Sequence, residues 1–264
     1  MKGVGHDLRD AARRIEERGI ALGRPLHLLA ETPSTNDEAH HGAKRGAAHG
    51  TTWLAEHQTD GRGRRGRTWV CPAGEGLLFS VLLRVACDPQ RLPLLALLAG
   101  LAVRDGVAEV APSAPLAIKW PNDVWSRGRK LAGILVEAIT VGARVEAVVV
   151  GIGINVHTRI FPDEIAERAT SVAVAAKGVP LERASLLAAV LASYDRDLHV
   201  VLSRGLGLVR ARLEAADALR GKRVKSDSGD QGVASGIDDD GCLVVRRDDG
   251  SLARWAAGEV HLGL

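Results

Sequence analysis

The chain is 264 residues long, enough for one large domain or for a medium domain with a small appendage. Hydrophobic residues make up 46% and charged residues 25%, which allows a packed core and excludes wholesale disorder, while an aromatic content of 3% leaves Ala, Val and Leu to fill that core. The net charge of +3 is too small to imply a nucleic-acid partner, and the three cysteines (Cys71, Cys87, Cys242) are too scattered for a disulfide framework or a zinc site, so a reducing, cytoplasmic setting is expected.

Residues 1–19 alternate charge with alanine and lack the apolar core of a signal peptide. The spacing of Leu8, Ala11, Ala12 and Ile15 predicts one helix over residues 7–18, ended by Gly19 and by Gly23-Arg24-Pro25. This preamble, residues 1–24, is too short for a complete helix-turn-helix domain. A strand is expected at 26–30. Ser34 or Thr35 is placed to cap a helix over 36–45, with Glu38 in a capping-box position, and His40-His41 on that polar helix reads as solvated. Residues 51–56 and 77–85 read as strands, the second buried on both faces. The apolar run 92–110 reads as a helix, and the longest apolar stretch, 92–103, contains Pro93 and Gly100 and is too short to cross a bilayer. A strand at 116–120 ends at Pro121-Asn122-Asp123. Two more follow at 131–139 and 145–154, joined at Gly142, then helices at 181–202 and 206–219. Beyond Gly221, short Val-rich runs alternate with Asp240-Gly241 and Asp249-Gly250, a hairpin signal. The expected division is a catalytic-size unit over 25–219 and a small β-barrel over 220–264.

Three stretches could carry chemistry. In Gly61-Arg62-Gly63-Arg64-Arg65-Gly66-Arg67, four guanidinium groups crowd one glycine-rich loop. Guanidinium forks match phosphate and carboxylate oxygens, and glycine lets backbone approach a ligand. From these residues alone, anion binding, a nucleic-acid contact and a solvated linker are all open. In Lys119-Trp120-Pro121-Asn122-Asp123, followed by Lys130, a lysine opens a strand that looks buried, where unpaired lysine is rare; a plain hairpin turn with surface lysines is the alternative. Gly151-Ile152-Gly153-Ile154-Asn155 begins like a dinucleotide fingerprint but has Val156 where the third glycine belongs. No P-loop, no His-Glu-x-x-His and no Gly-x-Ser-x-Gly occurs, and no protein metal site is expected.

Taken in order, Glu31-Thr32-Pro33-Ser34-Thr35-Asn36, Glu56-His57-Gln58-Thr59-Asp60 with the Gly/Arg loop, Lys119 to Asp123, Lys130 to Glu137 and Gly151 to Asn155 resemble the catalytic domain of biotin protein ligases, over roughly residues 26–264. The resemblance implies an α+β fold: a mixed β-sheet backed by helices, then a small C-terminal β-barrel. It implies that Ser34, Thr35, Asn36, Gln58, Arg62, Gly63, Arg64 and Lys130 line a biotin pocket. It places Arg64, Arg67, Trp69, Lys119, Asn122, Asp123, Lys130 and Asn155 near the nucleotide, and gives Arg64 and Lys130 the catalytic roles. The implied substrates are biotin and ATP with Mg²⁺, and the implied partner is a biotin carboxyl carrier protein such as that of acetyl-CoA carboxylase. Family members that act as repressors carry a helix-turn-helix domain, so with this short preamble no specific DNA partner is expected, nor any membrane partner; a monomer or weak homodimer is. The rivals are a lipoate or octanoate ligase or transferase of related fold, an Arg-loop nucleic-acid binder and a non-catalytic carrier-binding module. The loop's crowded charges suggest a segment that becomes ordered around a ligand anion.

Overall fold

The computed structural model describes residues 3–85, 88–142, 144–178 and 180–263; Cys87, and the terminal Met1 and Leu264 of the expected segments, lie outside them. Cys71 and Cys242 are free thiols. In chain order the elements are α1 (Ala11–Glu17), β1 (Leu26–Leu29), α2 (Thr35–Lys44), β2 (Thr52–Ala55), β3 (Gly76–Leu83), α3 (Leu92–Val110), β4 (Ala117–Lys119), β5 (Asp123–Ser126), β6 (Arg129–Val141) and β7 (Arg144–Asn155). There follow α4 (Asp163–Ala166), α5 (Val172–Ala175), α6 (Arg183–Arg204), α7 (Arg210–Ala216), β8 (Arg223–Ser226), β9 (Gln231–Ile237), β10 (Leu243–Arg246), β11 (Leu252–Trp255) and β12 (Val260–Leu262).

Seven strands form one mixed sheet in the order β1-β2-β3-β7-β6-β5-β4, with only β1 and β2 parallel. Side chains alternate across a strand. Phe79, Val81 and Leu83 of β3, with Val148, Val150, Ile152 and Ile154 of β7, therefore enter the main core beneath α3 and α6. Helix α3 is apolar around most of its circumference because it is buried on most sides. At Gly106 it meets α6 so closely that a Cβ would lie 2.8 Å from the backbone nitrogen of Val190. On the other face, α2 covers Trp53, Leu82, Ala147 and Val149 through Ala39. That helix leaves the neighbouring part of the face, around Gly133 and Gly153, for a different occupant.

The small C-terminal unit is a five-stranded antiparallel sheet, β11-β10-β9-β8-β12, whose Val224, Leu243, Val245 and Val260 join the main core. The fully buried Trp120 donates its indole N–H to Gly241 O at 2.8 Å and so fixes this sheet to the larger one. Strands β5 and β12 were not expected from the sequence. Pro121-Asn122 does make a turn, but the chain reverses there into a short strand instead of continuing as loop, and β12 has only three residues, too few for a periodic signal.

Two local expectations change. Ser34 occupies the N-cap of α2 but its hydroxyl makes no cap bond; Gln58 Oε1 accepts from the Thr35 amide at 2.7 Å instead, and Glu38 takes the Thr32 hydroxyl at 3.0 Å. A capping box is therefore not formed, because a side chain from beyond β2 does its work. The N-terminal segment is also packed, not appended: Leu8, Ala11 and Ile15 are fully buried in the main core, while Ala12 is exposed. Arg183, 2% exposed at the start of α6, binds Asp7 at 2.7 Å, Glu56 at 3.0 Å and Gly76 O at 3.1 Å, and the Gly5 amide donates to Glu56 at 3.0 Å. Arg183→Ala would leave two carboxylates facing one another without their cation. It should lower the free energy of unfolding by about 3–5 kcal/mol, the range for breaking a buried ion pair from one side; an unchanged urea midpoint would refute this.

Candidate active site

The open part of the sheet face is floored by glycine. Gly133 of β6 and Gly153 of β7 are direct cross-strand partners, and Gly151 lies two residues along from Gly153 on the same face. A Cβ on Gly153 would stand 2.7 Å from the Trp69 ring, one on Gly133 3.0 Å from it, and one on Gly151 2.1 Å from Asn36 Oδ1. The glycines thus let an indole and an amide lie directly on the sheet. This explains the Gly-Ile-Gly run: it is a strand surface, while Ile152 points into the core.

Trp69 closes the base of the Gly/Arg loop. Its amide donates to Gly61 O at 2.7 Å, and Gly63 N donates to Arg67 O at 2.6 Å, so residues 61–69 fold back as a narrow hairpin-like loop. At the tip, Arg64–Gly66 form a single 3₁₀ turn in which Arg65 adopts the left-handed conformation (φ 58°).

The loop, the floor and the start of α2 enclose one cavity. At one end the groups are neutral and polar. Gln58 Oε1 accepts from both the amide and the hydroxyl of Thr35, at 2.7 and 2.9 Å. Ser80 Oγ lies 2.7 Å from Thr35 Oγ1 and 2.6 Å from Asn36 Oδ1, and Asn36 Nδ2 donates to Glu137 at 2.6 Å. Ser80 and Glu137 had escaped sequence reasoning, since each sits in an apolar strand and gains meaning only from what faces it. His40, expected to be solvated, is half-buried with Nε2 3.3 Å from Glu137. The hydrogen bond from His40, joined by those of Asn36 and the charge of Arg62, outweighs burial and holds the Glu137 carboxyl below its ordinary range.

The loop above the cavity is cationic, and Arg64 and Lys130 mark the cavity's other end. Arg62 pairs with Asp37 at 2.8 Å and Glu137 at 3.0 Å, Arg65 pairs with Asp227, and Arg67 pairs with Glu259 at 2.5 Å. Arg64 differs: among the described residues it makes no ion pair, and its Nη1 donates only to the neutral Asn122 Oδ1 at 2.9 Å. Burial, then the charge of Arg65, weighs against its cationic form, a deficit that an anion in the cavity would offset. Asn122 is itself held by a bond from Nδ2 to Ile134 O at 2.8 Å. Lys130 Nζ stands 5.5 Å from the Trp69 ring centroid and 2.8 Å from Asp123 Oδ1, a close approach without hydrogen-bond alignment that leaves this buried oxygen with no proper donor. Four carboxylates of the protein thus meet three of the arginines in the loop expected to become ordered around a ligand anion.

Of the residues singled out in the sequence, Ser34, Thr35, Asn36, Gln58, Arg62, Gly63, Arg64, Arg67, Trp69, Asn122 and Lys130 line this one cavity. Lys119, Asp123 and Asn155 do not. Lys119 is 9% exposed, with Nζ 5.3 Å from the Trp125 ring centroid; burial pushes its ammonium pKa down, opposed by Asp123 and Glu259. Asn155 donates to Thr170 O at 3.0 Å and ties down the segment after β7.

A mixed sheet with a polar-to-cationic cavity on one face, followed by a small antiparallel sheet, suits an enzyme that takes anionic substrates. A profile of the Biotin/lipoate A/B protein ligase family matches residues 29–155, and one of the Biotin protein ligase C terminal domain matches residues 221–263. The biotin–[acetyl-CoA-carboxylase] ligase of Mycobacterium tuberculosis is 36% identical, with 95% of each chain covered. That of Paracoccus denitrificans is 38% identical over 89% of this chain and all of its own. A biotin protein ligase from Aquifex aeolicus, solved in complex with biotin and ATP, superposes with a TM-score of 0.77 at 30% identity, covering 90% of this chain and 98% of that one. The chain belongs to the biotin protein ligase family.

The glycine floor offers a direct test. Gly153→Ala would drive a methyl group into the Trp69 ring, and such overpacking costs about 1–3 kcal/mol. Ligands of this cavity should bind roughly 10- to 100-fold more weakly, measured by isothermal titration with biotin. Unchanged biotin affinity would mean that the indole does not shape the cavity.

Proposed function

We propose that this chain activates biotin with ATP and transfers it to a lysine of a biotin carboxyl carrier protein, such as that of acetyl-CoA carboxylase, in the cytoplasm. In the first step a biotin carboxylate oxygen attacks the α-phosphorus of ATP and the bond to pyrophosphate breaks, giving biotinyl-5′-AMP. In the second, the neutral ε-amine of the carrier lysine attacks the acyl carbon, AMP leaves, and the amine proton passes to solvent. The observation that carries this reading is the single cavity with a neutral amide–hydroxyl end and, at the other end, Arg64 without a carboxylate partner beside Lys130.

Ser34, Thr35, Asn36 and Gln58 suit the ureido ring and its neighbours, since Thr35 and Gln58 fix one another and Asn36 is held by Ser80 and Glu137. Arg62 and Gly63 lie on the loop above that end. Arg64 and Lys130 are assigned to the meeting point of carboxylate and α-phosphate, where fixed positive charge offsets repulsion and stabilises the transition state. Asn122 aims Arg64. Trp69 carries Lys130 over its ring. Lys119 adds positive charge behind Asp123, Asn155 orders the segment after β7, and Arg67 braces the loop beside the nucleotide. Mg²⁺, when bound with ATP, would neutralise charge on the phosphates. Asp123 Oδ1 is already 2.8 Å from Lys130 Nζ and Asp123 does not line the cavity, so the ion would be held chiefly by the phosphates, with Asp123 placing Lys130. Residues 220–264 are taken as the second domain. No specific DNA partner is proposed, and a monomer or weak homodimer is. Among the described residues no helix is long and apolar enough to cross a membrane.

Purified protein with Mg·ATP should show biotin-dependent ATP–pyrophosphate exchange, and lipoate or octanoate should not substitute. Equal exchange with lipoate would reassign the substrate. The two cationic groups should separate kinetically. Lys130→Ala should slow adenylate formation by about two to three orders of magnitude, the range for losing one preorganised charge-stabilising donor. Arg64→Gly should still form adenylate but release it early, so that unrelated proteins become labelled on a streptavidin blot. Turnover of ATP by this variant without such bystander labelling would confine the loop to binding.

A further inference from the structure

We propose that Asp227 and Glu259 of the C-terminal sheet are positioning residues for the reaction: by holding Arg65 and Arg67 they keep the Gly/Arg loop shut over the adenylate and turn Arg64 inward. This rests on the biotinyl-adenylate reading above.

The loop tip needs an external hold. Arg65 (φ 58°) and Gly66 (φ 71°) are consecutive left-handed residues, and a non-glycine residue stays in that region only where its surroundings fix it. The Arg65 side chain ends on Asp227. The reversal at 65–66 sends the guanidinium groups apart: Arg64 to Asn122 at the cavity, Arg65 and Arg67 to the C-terminal sheet.

The receptor for those two side chains is built into the sheet. Strands β8 and β12 pair in the register Ser226↔Val260, which sets Asp227, just after β8, beside Glu259, just before β12. His261 Nε2 lies 3.0 Å from the second oxygen of Asp227. The ligand atoms of Asp227, Glu259 and His261 fall within 4.8 Å of one another, a grouping that suits a cation, and here the cations are the two guanidinium groups. The abutment is firm because Trp120 bonds the C-terminal unit to the larger sheet from within the core.

The exposure of these pairs separates positioning from folding. The side chains of Arg65 and Arg67 are 50% and 58% exposed, and exposed ion pairs contribute little to global stability. Losing them should loosen the loop without unfolding the protein. Weak, exposed pairs can also break singly, which lets the loop open for the carrier lysine after the adenylate has formed.

The test uses the full chain and begins with biotin-dependent pyrophosphate exchange by the parent, which examines the underlying reaction separately. An Asp227→Asn, Glu259→Gln double variant is then compared with the parent in three measurements: trypsin cleavage after the loop arginines of the free protein, labelling of a bystander protein during turnover, and the urea unfolding midpoint. Cleavage and bystander labelling should each rise by roughly tenfold with the midpoint unchanged, as expected for two exposed ion pairs acting on one loop. The reciprocal exchange Arg65→Asp with Asp227→Arg should bring bystander labelling back toward the parent. Parental cleavage and parental labelling in the double variant would overturn the proposal. So would faster cleavage without extra labelling, since the contact would then merely tidy the surface. If the parent shows no biotin-dependent exchange, the reaction is misassigned, and parental cleavage of the double variant would still overturn the loop-holding itself.

Discussion

Four guanidinium groups within six residues cannot share one ordered loop unless negative charge meets them, and much of the architecture follows from where that charge comes from. Arg62 draws it from Asp37 on α2 and Glu137 on β6; Arg65 and Arg67 draw it from the edge of the C-terminal sheet. The loop is thereby stretched between three separately built parts of the molecule. Among the described residues, Arg64 is the loop arginine left without a carboxylate, and it lines the cavity with Lys130. Solvating the other three arginines with protein carboxylates is what makes the fourth available at low reorganisation cost, the condition under which a fixed charge aids a reaction.

The second constraint is steric. An indole can lie on a β-sheet only where the strands beneath it carry no side chains, and Gly133 opposite Gly153 satisfies this at the place where Trp69 lands. Glycine weakens a strand. Here the loss is offset by burial of β3, β7 and β6 against α3 and α6 on the opposite face. The same side chain then carries Lys130, so the glycine floor and the ammonium at the cavity belong to one stack.

The division between what could be read in the sequence and what could not follows the range of the interactions. Local chemistry was legible: the apolar run that became α3 was placed to the residue, and the Gly/Arg loop, Lys130 and the Ser34–Asn36 turn all meet at one cavity. Long-range partners were not. Asp227 and Glu259 lie 162 and 192 residues from the arginines they hold, in a region that reads only as short strands and turns. Gln58 replaces the expected cap of α2 because the fold brings it there, and His40 leaves solvent because Glu137 faces it from another strand. Strand β5 was hidden behind strong turn residues. Lys119 and Asn155 show the converse limit: a motif can be recognised while its members serve behind the cavity wall.

The sparse aromatic content has an optical consequence. The chain has five tryptophans. Trp53 stacks on His27 beside α2, Trp120 is sealed at the junction of the sheets, Trp125 lies under Lys119, and Trp255 belongs to the C-terminal sheet. Only Trp69 borders the cavity, and its indole nitrogen is buried without a partner. With one emitter at the site against four set into the scaffold, the intrinsic fluorescence of the unmodified protein becomes a reporter of occupancy, and the emission of the lone cavity indole can follow adenylate formation and loss in real time without any added dye.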